Sequence, residues 1–232
     1  MKNFQKIGGI AALYEAAAYI VGMIGFFTVV DVISVADPIQ KVALMAENQA
    51  FLYILHLVVY VAWGFFMVVL ALALYERLKA GSPAIMQTAT VFGIFWGGVI
   101  IISGMIHNAG MQTVVDLYSK DPTQAGTIWL TIDSVLGGLA GSNEIIGGIW
   151  ILMLSWAALR TGELNRVLNY IGVAVGLAGI ISIIPVFAGL FIFIFALGQI
   201  VWFIWLGIML LRSNTSRVAK YQQPATASFN SK

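Results

Sequence analysis

Charge is scarce in this chain. Only 9% of its 232 residues are Asp, Glu, Lys or Arg, against about a quarter in an ordinary soluble domain. A globule made from it could not cover its own surface with charged groups, so lipid rather than water must solvate most of the exterior. Cysteine is absent altogether, which removes disulfide exchange, thiolate catalysis, iron–sulfur clusters and Cys-ligated zinc together. The net charge of +2 and the lack of any dense basic stretch exclude nucleic acid as a partner. No nucleotide-binding glycine loop, Gly-x-Ser-x-Gly elbow or His-Glu-x-x-His helix occurs. The lysines fall in loops or tails, leaving none for a buried Schiff base, and no span repeats arginine as a voltage sensor does. Neither an internal repeat nor the inverted symmetry of many transporters is evident.

What is present is apolar. Hydrophobic residues make up 60% of the chain, and the mean hydropathy is +0.94. Helices satisfy their own backbone in hydrocarbon, and roughly 20 apolar residues cross it. The reading is therefore an all-α polytopic bundle of six transmembrane helices, over about 7–30, 50–75, 85–106, 141–159, 167–184 and 189–211. The first run follows Met1 to Lys6 like a signal peptide but is long enough to span, and is read as a retained helix. Residues 126–159 are too long for one upright crossing, and Asp133 and the Gly137–Gly141 stretch interrupt them. An interfacial or re-entrant helix is expected near 126–136, before span four. Pro185 is read as stopping span five, and 213–232 as a disordered cytoplasmic tail.

Loop charges sort by side. Lys2, Lys6, Arg77, Lys79, Arg160, Arg166, Arg212, Arg217 and Lys220 share one face. Lys41 and Lys120 fall on the other, with Asp31, Asp37, Glu47, Asp116 and Asp121. Positive charge stays inside, so both termini are expected in the cytoplasm. Trp129, Tyr170, Trp202 and Trp205 lie near span ends, where aromatic belts form. Gly172, Gly176 and Gly179 give span five a small-residue packing face.

Intramembrane polar residues are where function is sought first, because burying them is costly. Glu15 lies about two turns into span one, flanked by Tyr14 and Tyr19, and Gln199 sits near the middle of span six. Nearer the other face, His56, His107 with Asn108, and Asn143 with Glu144 are expected at similar depth, with Asp133 close by. This set reads as an acidic outward pocket holding two imidazoles. It could line a ligand pathway, supply two axial ligands to a haem b, or hold a divalent metal through His56, His107, Asp133 and Glu144. The blander reading is that these groups cap helix ends and bond one another.

Three stretches carry a family resemblance: Gly8-Gly9-Ile10-Ala11-Ala12-Leu13-Tyr14, Gly147-Gly148-Ile149-Trp150 on through Gly162 to Gly172, and Gly198-Gln199-Ile200-Val201-Trp202. Together they resemble a family of small bacterial multi-pass membrane proteins known only as a domain of unknown function. The resemblance implies a bacterial cytoplasmic membrane and supplies no catalytic residue. The expected role is binding or transporting a small or lipophilic molecule. Alternatives are an accessory subunit of a membrane complex and an intramembrane metal- or haem-dependent enzyme, with the balance against an enzyme. Expected partners are membrane lipids and either other membrane subunits or further copies of the chain.

Overall fold

A computed structural model describes residues 2–31 and 33–212. Among these the protein is helical, with nine α-helices and no strand. They are α1 (Lys2–Ile24), α2 (Pro38–Glu47), α3 (Gln49–His56), α4 (Trp63–Leu78), α5 (Pro83–Tyr118), α6 (Pro122–Leu139), α7 (Glu144–Thr161), α8 (Arg166–Ile181) and α9 (Pro185–Arg212). A π-helical turn, Gly25–Val29, ends α1, and another, Leu57–Ala62, joins α3 to α4. Five stretches are long and apolar enough to cross a membrane: Asn3–Val29, Gln49–Leu78, Pro83–Tyr118, Pro122–Thr161 and Pro185–Arg212. α8 is apolar but shorter. The tail expected to be disordered, 213–232, lies outside the described residues.

Six helices close into a ring. α1 packs between α4 and α9, α4 against α5, α5 against α7, α7 against α8, and α8 against α9. Alternate seams of that ring are backbone-close and glycine-built. A Cβ added to Gly97 would lie 2.6 Å from the Gly64 carbonyl oxygen, one on Gly148 2.6 Å from that of Gly176, and one on Gly207 2.9 Å from that of Gly9. The pairs α4–α5, α7–α8 and α1–α9 are thereby held by direct backbone approach, which only small residues permit. The expected packing face of α8 is present: Gly172 meets Ser155 and Trp202, Gly176 meets α7, and Gly179 meets Phe195.

Between the tight pairs, large rings fill the wider space. Trp63, Trp96, Trp150 and Trp202 run across the interior from four helices, at centroid distances of 4.9, 6.0 and 5.8 Å. Offset and edge-on contacts of this kind add stabilisation beyond the area they bury. Trp202 and Trp129 are thus buried rather than members of an interfacial belt, whereas Tyr170 is 64% exposed.

Three sequence expectations need correction. α5 has 36 residues, about 54 Å at 1.5 Å per residue, and does not stop at Ile106. Its distal part, with α2, α3 and α6, encloses a second apolar core around Val42, Met111, Val114, Ala125 and Trp129. This distal layer explains the long run at 126–159. A separate helix does stand there, but it is longer than expected: α6 is a full 18-residue helix folded back along α5, and only a short turn separates it from α7. A helix alternating Thr127, Thr131 and Ser134 outward with Ala125, Trp129 and Leu136 inward reads as an interrupted span in a hydropathy scan. Finally, Pro185 opens α9 instead of stopping the fifth run, since proline costs nothing in a first helical turn.

Several acids read as loop charges cap helices. Asp37 accepts from the Gln40 backbone N–H at 2.8 Å and Asp121 from that of Gln124 at 2.9 Å, each ahead of a proline. Each satisfies a donor the helix start leaves free. Arg77 pairs with Glu163 at 3.3 Å and Gln5 donates to the Ala73 carbonyl at 3.1 Å. These contacts bring the starts of α1 and α8 and the ends of α4 and α7 together at one end, called basal below. The Lys41–Asp133 pair, 3.6 Å apart, belongs to the distal end.

Candidate functional site

The polar residues singled out from the sequence fall into two groups, with a cavity between them. In the upper group, α3 supplies His56 and α5 supplies His107 and Asn108. Asn108 Nδ2 donates to the Tyr53 carbonyl at 3.3 Å, which leaves its Oδ1 as an acceptor. His56 Nδ1 lies 2.9 Å from that oxygen, so the hydrogen-bond pattern puts the proton on His56 Nδ1. His107 Nδ1 similarly donates to the Ser103 carbonyl at 2.9 Å, one turn back on its own helix.

The two imidazole centroids are 4.8 Å apart. Tyr60 stacks on His107 at 4.9 Å, and Phe26 lies 5.6 Å from His56. The two imidazole rings are in contact, and the Nδ1 of each is engaged with a protein oxygen. Among the described residues, no group of three or more His, Asp or Glu side chains is placed to hold a metal ion. Asp133 is engaged with Lys41, and Glu144 lines the cavity instead.

Tyr60 is the hinge between this group and the cavity. It sits in the π turn Leu57–Ala62, and a Cβ on Gly104 of α5 would lie 2.6 Å from its Cβ. Glycine at 104 therefore lets the widened turn press against α5. Tyr14 of α1 donates to the Val58 carbonyl within the same turn at 2.8 Å. π turns recur at functional sites because they displace side chains from regular helical register.

The cavity has a volume of about 240 Å³. Ala18, Gly22, Met23, Phe26 and Phe27 of the first helical stretch form one wall; Val59, Trp63 and Ile100 form another. Tyr19, Tyr60, Asn143 and Glu144 supply its polar groups. Met23 and Phe27 are 41% and 54% exposed and edge the opening. Asn143 is committed elsewhere: its Oδ1 accepts from Trp96 Nε1 at 2.5 Å, and its Nδ2 donates to the Ala140 carbonyl. Glu144 stands in the first turn of α7, where the helix dipole favours a carboxylate.

The lower group is Glu15 and Gln199. Both are fully buried, and neither carboxylate oxygen of Glu15 nor either amide atom of Gln199 has a hydrogen-bond partner among the described residues. Tyr19 stands one turn beyond Glu15 on the same face of α1, and it lines the cavity. It thus joins the lower group to the cavity.

The sequence placed His56, His107 and Asn108 at similar depth, and the structure has them in contact; Glu144, expected at that depth too, lines the cavity with Tyr60. Sequence reasoning missed Tyr19, Tyr60, Trp63 and Trp96. The tyrosines were flagged only as neighbours of Glu15 or not at all, because an aromatic residue inside an apolar run carries no periodic signal. No curated protein and no solved structure matches the chain. A family profile described as "Domain of unknown function (DUF4386)" matches residues 10–209, nearly the whole of the helical ring and its distal layer, and the chain belongs to that family.

Proposed function

We propose that this protein is a six-pass membrane protein, with both ends on the cytoplasmic side of a bacterial membrane, that binds a small amphiphilic molecule in its cavity. Support for six passes comes from direction. α7 and α9 both run from the distal to the basal end, so α8, about 24 Å long at 1.5 Å per residue, must carry the chain back between them. Support for orientation comes from charge: Lys6, Arg77, Lys79, Arg160, Arg166 and Arg212 gather at the basal end, where the positive-inside rule puts the cytoplasm.

The single observation carrying the binding reading is the cavity itself, with apolar walls on most sides and two phenols and a carboxylate on the remainder. Its volume decides the size class. A cavity of about 150 Å³ holds benzene, and drug-sized ligands need roughly 300–1,000 Å³. At about 240 Å³ the ligand is a single or fused ring, or a short chain. Its head group donates hydrogen bonds or carries positive charge, to suit Glu144. Its body packs against Phe26, Val59 and Ile100.

Native mass spectrometry of the protein released from mild detergent tests this. One small molecule should remain bound to the wild type and be lost from Gly22→Phe, which fills the cavity from its wall. Equal occupancy of both, or none on either with the cavity open, would remove the basis for the proposal.

A further inference from the structure

The lower polar pair calls for its own explanation, and the amphiphile reading does not give one. Buried polar groups in native proteins are bonded in the large majority of cases. Glu15 and Gln199 together leave four polar atoms unpartnered at zero exposure. A charged, unpaired carboxylate in an apolar interior is strongly disfavoured, so Glu15 must carry a proton or meet a cation. Among the described residues no lysine or arginine acts on Glu15 as that cation. α4 keeps Glu76 and Arg77 at the basal end, and α9 keeps Arg212 at its last residue. The ionisable groups around Glu15 are Tyr14 and Tyr19 on its own helix and, past Tyr19, Tyr60 of the π turn and Glu144 of α7. α9 contributes only the neutral Gln199.

The surroundings of the pair are one-sided. On the distal side Tyr19 connects it to the cavity. On the basal side α1 closes against its neighbours with no room for a side chain. A Cβ on Gly8 would meet Ala73 at 2.5 Å, and one on Gly9 would meet Leu211 at 2.8 Å and the Gly207 carbonyl oxygen at 3.1 Å. Ala11 and Ala12 are wholly buried there.

We infer that Glu15 and Gln199 form a proton-binding site at the closed end of a polar path that enters through the cavity, passes Tyr19, and is sealed towards the basal end by Gly8, Gly9 and Gly207. Glu15 takes the proton on a carboxylate oxygen, and Gln199 adds a neutral, equally unpartnered amide to the same buried interior. Tyr19, with a hydroxyl that both donates and accepts, relays the proton to the cavity. The site stands whether or not an amphiphile occupies the cavity above it.

The test is chemical labelling of the full-length protein in liposomes with the apolar reagent dicyclohexylcarbodiimide. A carboxylic acid adds its O–H across one C=N bond of the reagent, and the O-acylisourea rearranges to a stable N-acylurea. Only the protonated acid reacts, and an apolar reagent reaches it through lipid. Peptide mapping should find the adduct on Glu15. Its yield should fall about tenfold per pH unit beyond a midpoint, as one exchangeable proton requires. Tyr19→Phe, which keeps the ring, should slow the response of labelling to a pH jump applied from the distal side. Glu144→Gln should leave Glu15 labelling in place, which separates this site from the cavity. An unlabelled Glu15 beside a labelled Glu144, or a Glu15 yield flat across pH, would overturn the inference. Because the wild type carries the main readout, a variant that fails to fold does not blunt the test.

Discussion

The two polar groups of this protein sit in the same bundle and differ in one respect. Around His56, His107 and Asn108 each assigned donor has an acceptor, and the group lies where the ring of helices meets the distal layer. At Glu15 and Gln199 no partner is supplied among the described residues. Satisfied buried polar networks fix a unique arrangement, so the histidine group behaves as a joint between two cores. Unsatisfied ones cost stability and persist where something else uses them. The imidazoles, the more conspicuous chemistry in the sequence, each have their Nδ1 engaged, while among the described residues the less conspicuous pair has no partner.

Substitutions can break or sharpen this contrast. The largest effect is expected where neither group is touched: Gly97→Leu drives a side chain into the Gly64 carbonyl and should cost about 3 kcal/mol or more, read as loss of a monodisperse peak and a lower Tm in detergent. Next, Asn108→Leu leaves the His56 Nδ1–H without its acceptor and should cost about 1–3 kcal/mol, measured as a fall in Tm. Glu15→Leu should not lower Tm and can raise it, because a buried unpaired group is exchanged for an apolar one. A Tm loss there equal to that of Asn108→Leu would erase the distinction between the groups. The smallest effect belongs to the surface. Lys79 donates to Glu76 at 2.6 Å, and this bond, first among the causes, raises the Lys79 pKa. A raised pKa means the contribution is present below the unfolded-state value and fades as pH rises through the folded one. The pair is exposed, and Glu76→Gln should leave Tm unchanged within error at neutral pH.

Much of the bundle was legible in the sequence because hydrocarbon imposes a length and a composition on each crossing. The apolar runs at 141–159, 167–184 and 189–211 lie over α7, α8 and α9, the run at 50–75 covers α3, the π turn and most of α4, and Gly172, Gly176 and Gly179 announced the α7–α8 contact. The distal layer was hidden for the opposite reason. A helix such as α6 buries only one apolar stripe against α5 and α2, and the exposed Thr127 and Thr131 face blurred it into the neighbouring run. His56 and His107 converge because spans two and three are antiparallel, which spacing from their shared loop foretells. Glu144 follows a turn at 140–143 from which Asn143 reaches Trp96, a long-range contact with no local signature. That Glu15 lacks a partner is likewise a fact of packing among α1, α4 and α9, invisible until the helices are assembled.

Because the chain has no cysteine, single introduced cysteines report access without background. Met23→Cys, Ala18→Cys and Ala12→Cys place a thiol at the cavity edge, on its wall, and in the closed basal contact below Glu15. The proteins would be reconstituted in one orientation and exposed to a small charged methanethiosulfonate. The one-sided polar path predicts reaction of the first two from the distal side only, and of Ala12→Cys from neither. An unreactive Ala18→Cys, or an Ala12→Cys that reacts as fast as Met23→Cys, would contradict it.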